Sequence, residues 1–198
     1  VISPRATLIA DTAITLLAER GMRGLTHRAV DEAAGLPAGS TSNLARTRAA
    51  LLETTLARLT ELEEAAYALT LVPAQETEGA DPIRVMADMI GRLLHTQLTD
   101  GRVRTLARYE LALEANRRPE LRVIYDRAGA RFRGPAEHML AAAGSPDPVR
   151  HGRQLVAYAE GLIFDAIAGA GATPTQAELQ AGLRDLLDGM LRGGGAAR

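Results

Sequence analysis

The sequence predicts an all-α fold of nine helices, a three-helix unit at the N-terminus followed by a larger helical body, and three observations carry that prediction. Aromatic residues make up only 3% of the 198, while Ala and Leu abound, so helix formers fill the chain and the β-branched and aromatic clusters that strands need are missing. Prolines stand where helices would begin. Ser3-Pro4, Asp81-Pro82, Arg118-Pro119, Asp147-Pro148 and Thr173-Pro174 each precede a stretch of helical apolar spacing, and the first helical position needs no backbone donor. Between these marks the apolar residues recur three and four apart, the period of a helix with one buried face.

The first helix is expected from about Pro4 to Arg20, with Ile9, Ala13, Leu16 and Leu17 on one face and Gly21 closing it. Thr26 caps a short second helix running to Ala34, with Ala29, Val30 and Ala33 facing a core. Leu25 and Val30 are spaced for a hydrophobic staple across its cap, and Gly35 ends it. A third short helix covers roughly 38–45. Thr47 caps a fourth, whose stripe of Leu51, Leu52, Leu56, Leu59 and Leu62 reaches to about Leu71. Residues 72–80, with Pro73 and Gly79, read as a loop and boundary region. Further helices are expected over 82–99, 102–117, 119–143, 148–170 and 174–192, with Pro135 kinking or interrupting the seventh and 193–198 forming a frayed tail.

Composition narrows the function. With no cysteine there is no disulfide framework, thiolate metal site or cysteine nucleophile. His27, His95, His138 and His151 are scattered with no H-x-x-x-H pair, and no E-x-x-H occurs, which removes the helix-borne zinc site and the carboxylate-bridged bundle. No G-x-S-x-G is present, and Gly35-Leu36-Pro37-Ala38-Gly39-Ser40 lacks a phosphate-loop lysine. The expectation is therefore a protein that is no enzyme and holds no metal or cofactor. The apolar run from Leu8 to Ala18 is broken by Asp11 and too short to span a bilayer, which reads as a cytoplasmic chain without a leader. Net charge is −1, yet residues 1–50 carry six arginines against four acids, a positive excess confined to the N-terminal end.

That end carries the informative motif. From Thr26 to Asn43 the chain has the anatomy of a helix-turn-helix: a short helix, Gly35 for a left-handed turn, Leu36 to fill the space beneath it, then a second helix that is small and polar, with Ser40, Thr41, Ser42 and Asn43 in a row. Side chains of that size approach base edges and phosphates closely in a major groove.

Here the sequence resembles the tetracycline-repressor family, through Gly21, Thr26, Arg28, Val30, Ala34, Gly35, Leu36 and Gly39, and through Thr47-Arg48-Ala49-Ala50-Leu51-Leu52 at the start of helix four. A looser likeness covers 107–122, from Ala107-Arg108-Tyr109-Glu110 to Arg118-Pro119-Glu120-Leu121-Arg122. Four positions depart from the family pattern: Asp31 stands for an alanine, Ser42 for a tyrosine, Ala45 for a phenylalanine and Ala50 for a glutamate. Loss of the two rings predicts a recognition helix held by less apolar area.

The resemblance implies a dimeric transcriptional repressor released from a palindromic operator by a small molecule. DNA recognition would occupy 1–48, ligand binding and dimerisation 49–192, and a tail 193–198. Carried over by position, it assigns Thr26, Thr47 and Arg48 to phosphates and Arg28, Ser40, Thr41, Ser42 and Asn43 to bases. Met86, Met89, Leu93, Leu106, Tyr109, Leu113, Tyr125 and Phe132 are the expected pocket lining, with Glu110 and Gln97 as polar anchors. Leu155, Ala159, Leu162, Ile163, Ala166, Leu183 and Leu187 on the last two helices are the expected dimer contacts. A protein-binding adaptor that kept the fold without operator binding is the alternative.

Overall fold

The computed structural model describes residues 3–70, 79 and 81–193, apart from the side chains of 69, 70, 131 and 132. Among the described residues there are nine helices and no strand: α1 (Pro4–Gly24), α2 (His27–Ala33), α3 (Ser40–Leu44), α4 (Arg48–Thr70), α5 (Pro82–Leu98), α6 (Arg102–Ala115), α7 (Pro119–Ala142), α8 (Pro148–Ile167) and α9 (Gln176–Leu191). The loop expected over 72–80 and the tail beyond Gly193 lie outside the described residues, Gly79 excepted.

Local chemistry sets most helix starts. Ser3, Thr26, Asp81 and Asp147 each accept a backbone N–H of the first turn, and Pro4, Pro82 and Pro148 follow three of them. The last helix differs from expectation. It begins at Gln176 because Thr175 and Glu178 form a reciprocal capping box, leaving Pro174 outside as part of the approach. In α1, Gly21 adopts φ 63 and breaks the regular helix where closure was expected. Helix α3 is shorter than its sequence allows, since Gly39 at φ 88 is left-handed and the helix starts only at Ser40. Pro135 lies within α7, which is helical on both sides of it.

By contacts the chain forms two compact units, Val1–Ala65 with Gly101–Ala128, and Ala66–Asp100 with Gly129–Arg198. The first gathers α1, α2, α3, most of α4, α6 and the start of α7 around Ile9, Leu17, Leu25, Val30, Leu51, Leu52, Leu59, Leu111 and Leu121, all at most 1% exposed. Each such side chain contributes roughly 1.5–3 kcal/mol by leaving water. Leu25 and Val30 of the expected staple are both in this core, whereas Ala33 is exposed. The second unit packs α5 against α9, and Gly91 permits the approach: a Cβ there would stand 3.3 Å from the backbone nitrogen of Gln180. These units do not follow the division at 48 and 49, because α4 runs unbroken from Arg48 and its leucines complete the core under α1.

Candidate nucleic-acid interface and ligand cavity

The turn between α2 and α3 is built from backbone bonds. Leu36 N–H donates to Asp31 O at 2.9 Å and Gly35 N–H to Glu32 O at 3.3 Å, the paired bonds of a Schellman ending, with Gly35 at φ 64. The Asp31 side chain then reaches across the turn. Its carboxylate is 4% exposed and accepts from Gly39 N–H at 2.8 Å, Thr41 N–H at 2.8 Å and the Thr41 hydroxyl at 2.6 Å. Burial pushes this carboxyl up, but the bonds from Thr41 and Gly39 and the nearby His27 outweigh it and hold the group below the usual carboxylate range.

These bonds sort the side chains expected to meet DNA. Ser40 and Thr41 are buried, and their hydroxyls are engaged: Arg5 donates to Ser40 Oγ, Ser40 donates to Pro37 O, and Thr41 donates to Asp31. Ser42 and Asn43 are exposed, as is Leu44 at 43%. Arg28 is exposed beside Glu32 at 2.6 Å, a surface pair that a phosphate or base can displace. Thr26 and Thr47 are exposed and cap their helices through Ala29 N–H and Ala50 N–H.

Arg48 faces inward. Its guanidinium donates to Leu25 O at 2.5 Å and Met22 O at 2.6 Å, tying α4 to the loop that ends α1. His27 shares a 2.6 Å hydrogen bond with Ala45 O, and Ala45 is 1% exposed where the family pattern has a ring. Arg46, between α3 and α4, is exposed.

A cavity of about 110 Å³ opens in the second unit, lined by Tyr67, Met89, Ile90, Leu93, Leu94, Gln97, Ala136, Met139, Leu155, Val156, Ala159, Glu160 and Ile163. Of the residues expected to line a pocket or anchor a ligand, Met89, Leu93 and Gln97 are in this wall. Met86 is buried nearby in the sequence but outside this wall. Leu106, Tyr109, Glu110 and Tyr125 belong to the other unit, and Leu113 is 61% exposed. Glu110 has a different task there, accepting Met22 N–H at 3.0 Å beside the break at Gly21. The side chain of Phe132 lies outside the described residues. Burial within the wall pushes the Tyr67 hydroxyl above its usual value.

Three residues expected at a dimer seam, Leu155, Ala159 and Ile163, line this cavity, and Leu183 and Leu187 are fully buried within the single chain. The apolar stripes of α8 and α9 therefore serve the chain's own interior. Leu162 and Ala166 are partly buried. The outward faces are different and smaller: Gln154, Ala157, Gly161 and Phe164 on α8, with Ala181, Asp185 and Gly189 on α9, are exposed. No group of three or more metal-ligating side chains occurs among the described residues, and no described helix is long and apolar enough to cross a membrane.

Residues 78–193 match the family described as tetracyclin repressor-like, C-terminal domain. No curated protein matches the chain. Among solved structures, a transcriptional regulator from Rhodococcus sp. Rha1 is 21% identical over 98% of this chain and 99% of its own, with a TM-score of 0.77. A TetR-family member from Streptomyces coelicolor A3 is 27% identical over 93% of this chain and 98% of its own, with a TM-score of 0.73. The multidrug-binding protein EbrR complexed with ethidium is 27% identical over 92% of this chain and 98% of its own, with a TM-score of 0.67.

Proposed function

This chain belongs to the tetracycline-repressor family of transcriptional regulators, which are not enzymes, and from that premise we propose that it is a homodimeric repressor released from a palindromic operator by a lipophilic small molecule. The observation that carries the reading is α4. One helix bears Thr47 at its cap, beside the recognition helix, and Tyr67 near its other end, on the cavity wall. A ligand that shifts the Tyr67 end by preferring one position of α4 biases the DNA-reading end in the same step.

The functional division follows: DNA recognition within 1–48, ligand binding and dimerisation within 49–192, acting in the cytoplasm. Base contacts fall to Arg28, Ser42 and Asn43, and phosphate contacts to Thr26, Thr47 and Arg46. The effector class is supported by a wall whose side chains are mostly aliphatic or thioether, with Gln97, Tyr67 and Glu160 as polar points. The structural relative EbrR, which binds ethidium, supports the same class. The outward small-residue faces of α8 and α9 are the proposed dimer seam, since Ala157, Gly161, Ala181 and Gly189 let two helix pairs approach closely and a two-fold protein reads a two-fold site.

Selection of bound DNA from a random duplex pool tests the reading. A palindromic consensus is expected, with affinity that falls steeply as salt rises and falls again on adding a lipophilic compound that binds the free protein and does not intercalate into duplex DNA. A chain that enriches no sequence at any salt concentration is the adaptor instead.

A further inference from the structure

A buried carboxylate in the middle of a DNA-reading motif needs a reason, because burial of a charge is costly unless bonds repay it. Asp31 has three such bonds, and all three come from the start of the next helix. The donors are backbone groups of Gly39 and Thr41 and the Thr41 hydroxyl, so they fix the backbone of α3 itself. A second polar chain, Arg5 to Ser40 to Pro37 O, holds the same turn from the α1 side. Helix α3 spans only Ser40–Leu44 and buries Ser40 and Thr41, two polar residues, toward the protein. Apolar packing contributes little to its placement. Ser42 and Asn43 face outward from the backbone that these bonds hold.

We infer that Asp31 is a positioning residue for base recognition, its carboxylate fixing the rotation of α3 so that Ser42 and Asn43, rather than Ser40 and Thr41, meet the base edges. The inference rests on the DNA-binding reading above. One oxygen serves Thr41 twice, and the other serves Gly39. An amide in place of the carboxylate keeps one acceptor and turns an NH2 toward the other donor, so Asp31→Asn sets two donors against each other at Gly39 or at Thr41. Thr41→Val removes only the hydroxyl bond and keeps both amide bonds.

The experiment compares full-length wild type, Asp31→Ala, Asp31→Asn and Thr41→Val in three measurements: random-pool selection, affinity for the wild-type consensus against scrambled duplex, and amide hydrogen exchange without DNA. Asp31→Ala is expected to lose at least about tenfold in consensus affinity, with Asp31→Asn between it and wild type and Thr41→Val losing least. Affinity for scrambled duplex stays within about twofold, because phosphate attraction is independent of register. The selected consensus loses information at the positions read by Ser42 and Asn43, a change that a merely less stable protein would not produce. The Gly39 and Thr41 amides exchange faster in both Asp31 variants.

A wild type that enriches an operator, with Asp31→Asn and Thr41→Val equal to it in affinity and base preference, overturns the positioning role alone. A wild type that enriches nothing overturns the DNA reading and the positioning role with it. Faster amide exchange in the Asp31 variants would then show that the clamp serves the fold. If Asp31→Ala does not fold, Asp31→Asn and Thr41→Val carry the same comparison.

Discussion

Arg48 and Asp31 show how a side chain's surroundings decide its work. By sequence Arg48 stands at the mouth of a long helix, where a phosphate would be welcome; in the fold its guanidinium binds the carbonyls of Met22 and Leu25. Arg48→Ala is expected to lower the unfolding free energy by about 1–3 kcal/mol in urea titrations, leaving two carbonyls without their charged donor. The salt dependence of operator binding should keep its slope if no phosphate contact is lost. Asp31 yields a pH prediction. Its folded value lies below its unfolded one, so its bonds contribute stability above the unfolded value of about 4 and lose it as pH falls through the folded value. The stability difference between wild type and Asp31→Asn should be constant from pH 7 to about 5 and shrink below that; growth of the difference in acid would contradict it.

Among the elements, what depends on a few neighbouring residues was legible and what depends on convergence was not. Caps at Ser3, Thr26, Asp81 and Asp147 and the break at Gly21 are local events that stand where short-range sequence signals put them, and Leu25 and Val30 are both buried in the same core. The start of α9 was misplaced because Pro174 is the louder signal, while the capping box of Thr175 and Glu178 is the one that satisfies donors. Thr175→Ala should cost about 1 kcal/mol in thermal or urea unfolding. The cavity was legible only in part, through Met89, Leu93 and Gln97 on one face of α5. Its remaining wall comes from α4, α7 and α8, and nothing in their own periodicity says which neighbour each face meets. An apolar stripe announces burial without naming the partner, which is why Leu155 and Ile163 read equally well as a seam between chains. At Gly91 the close approach of α9 leaves no room for a side chain, so Gly91→Leu should destabilise the protein by about 1–3 kcal/mol or more, read by urea titration.

For the whole molecule, the proposed seam makes a measurable claim. Gly161→Glu places a charge on the outward face of α8 without touching the buried stripe, and sedimentation should show a monomer that retains helical content but binds a half-site only weakly. Leu111→Ala probes a different dependence. It sits on α6, far along the chain from the helix-turn-helix, yet it is fully buried in the core that also holds Leu17 and Val30. The expected cost is about 2–5 kcal/mol, with operator binding lost at temperatures where the wild type still binds.

That shared core also bears on how such proteins can exchange parts. Residues 1–48 contain every side chain proposed to touch bases, which invites the idea that a single recombination crossover at the end of α3 hands one regulator's operator preference to another. The interior under α1 forbids so clean a transfer, because Leu51, Leu52, Leu56, Leu59, Ala107, Leu111 and Leu121 come from beyond that point. A reading head moved alone would meet a foreign set of leucines on α4 and α6. Point changes at the exposed Ser42 and Asn43 leave that core untouched, whereas a transplanted segment has to match it residue by residue.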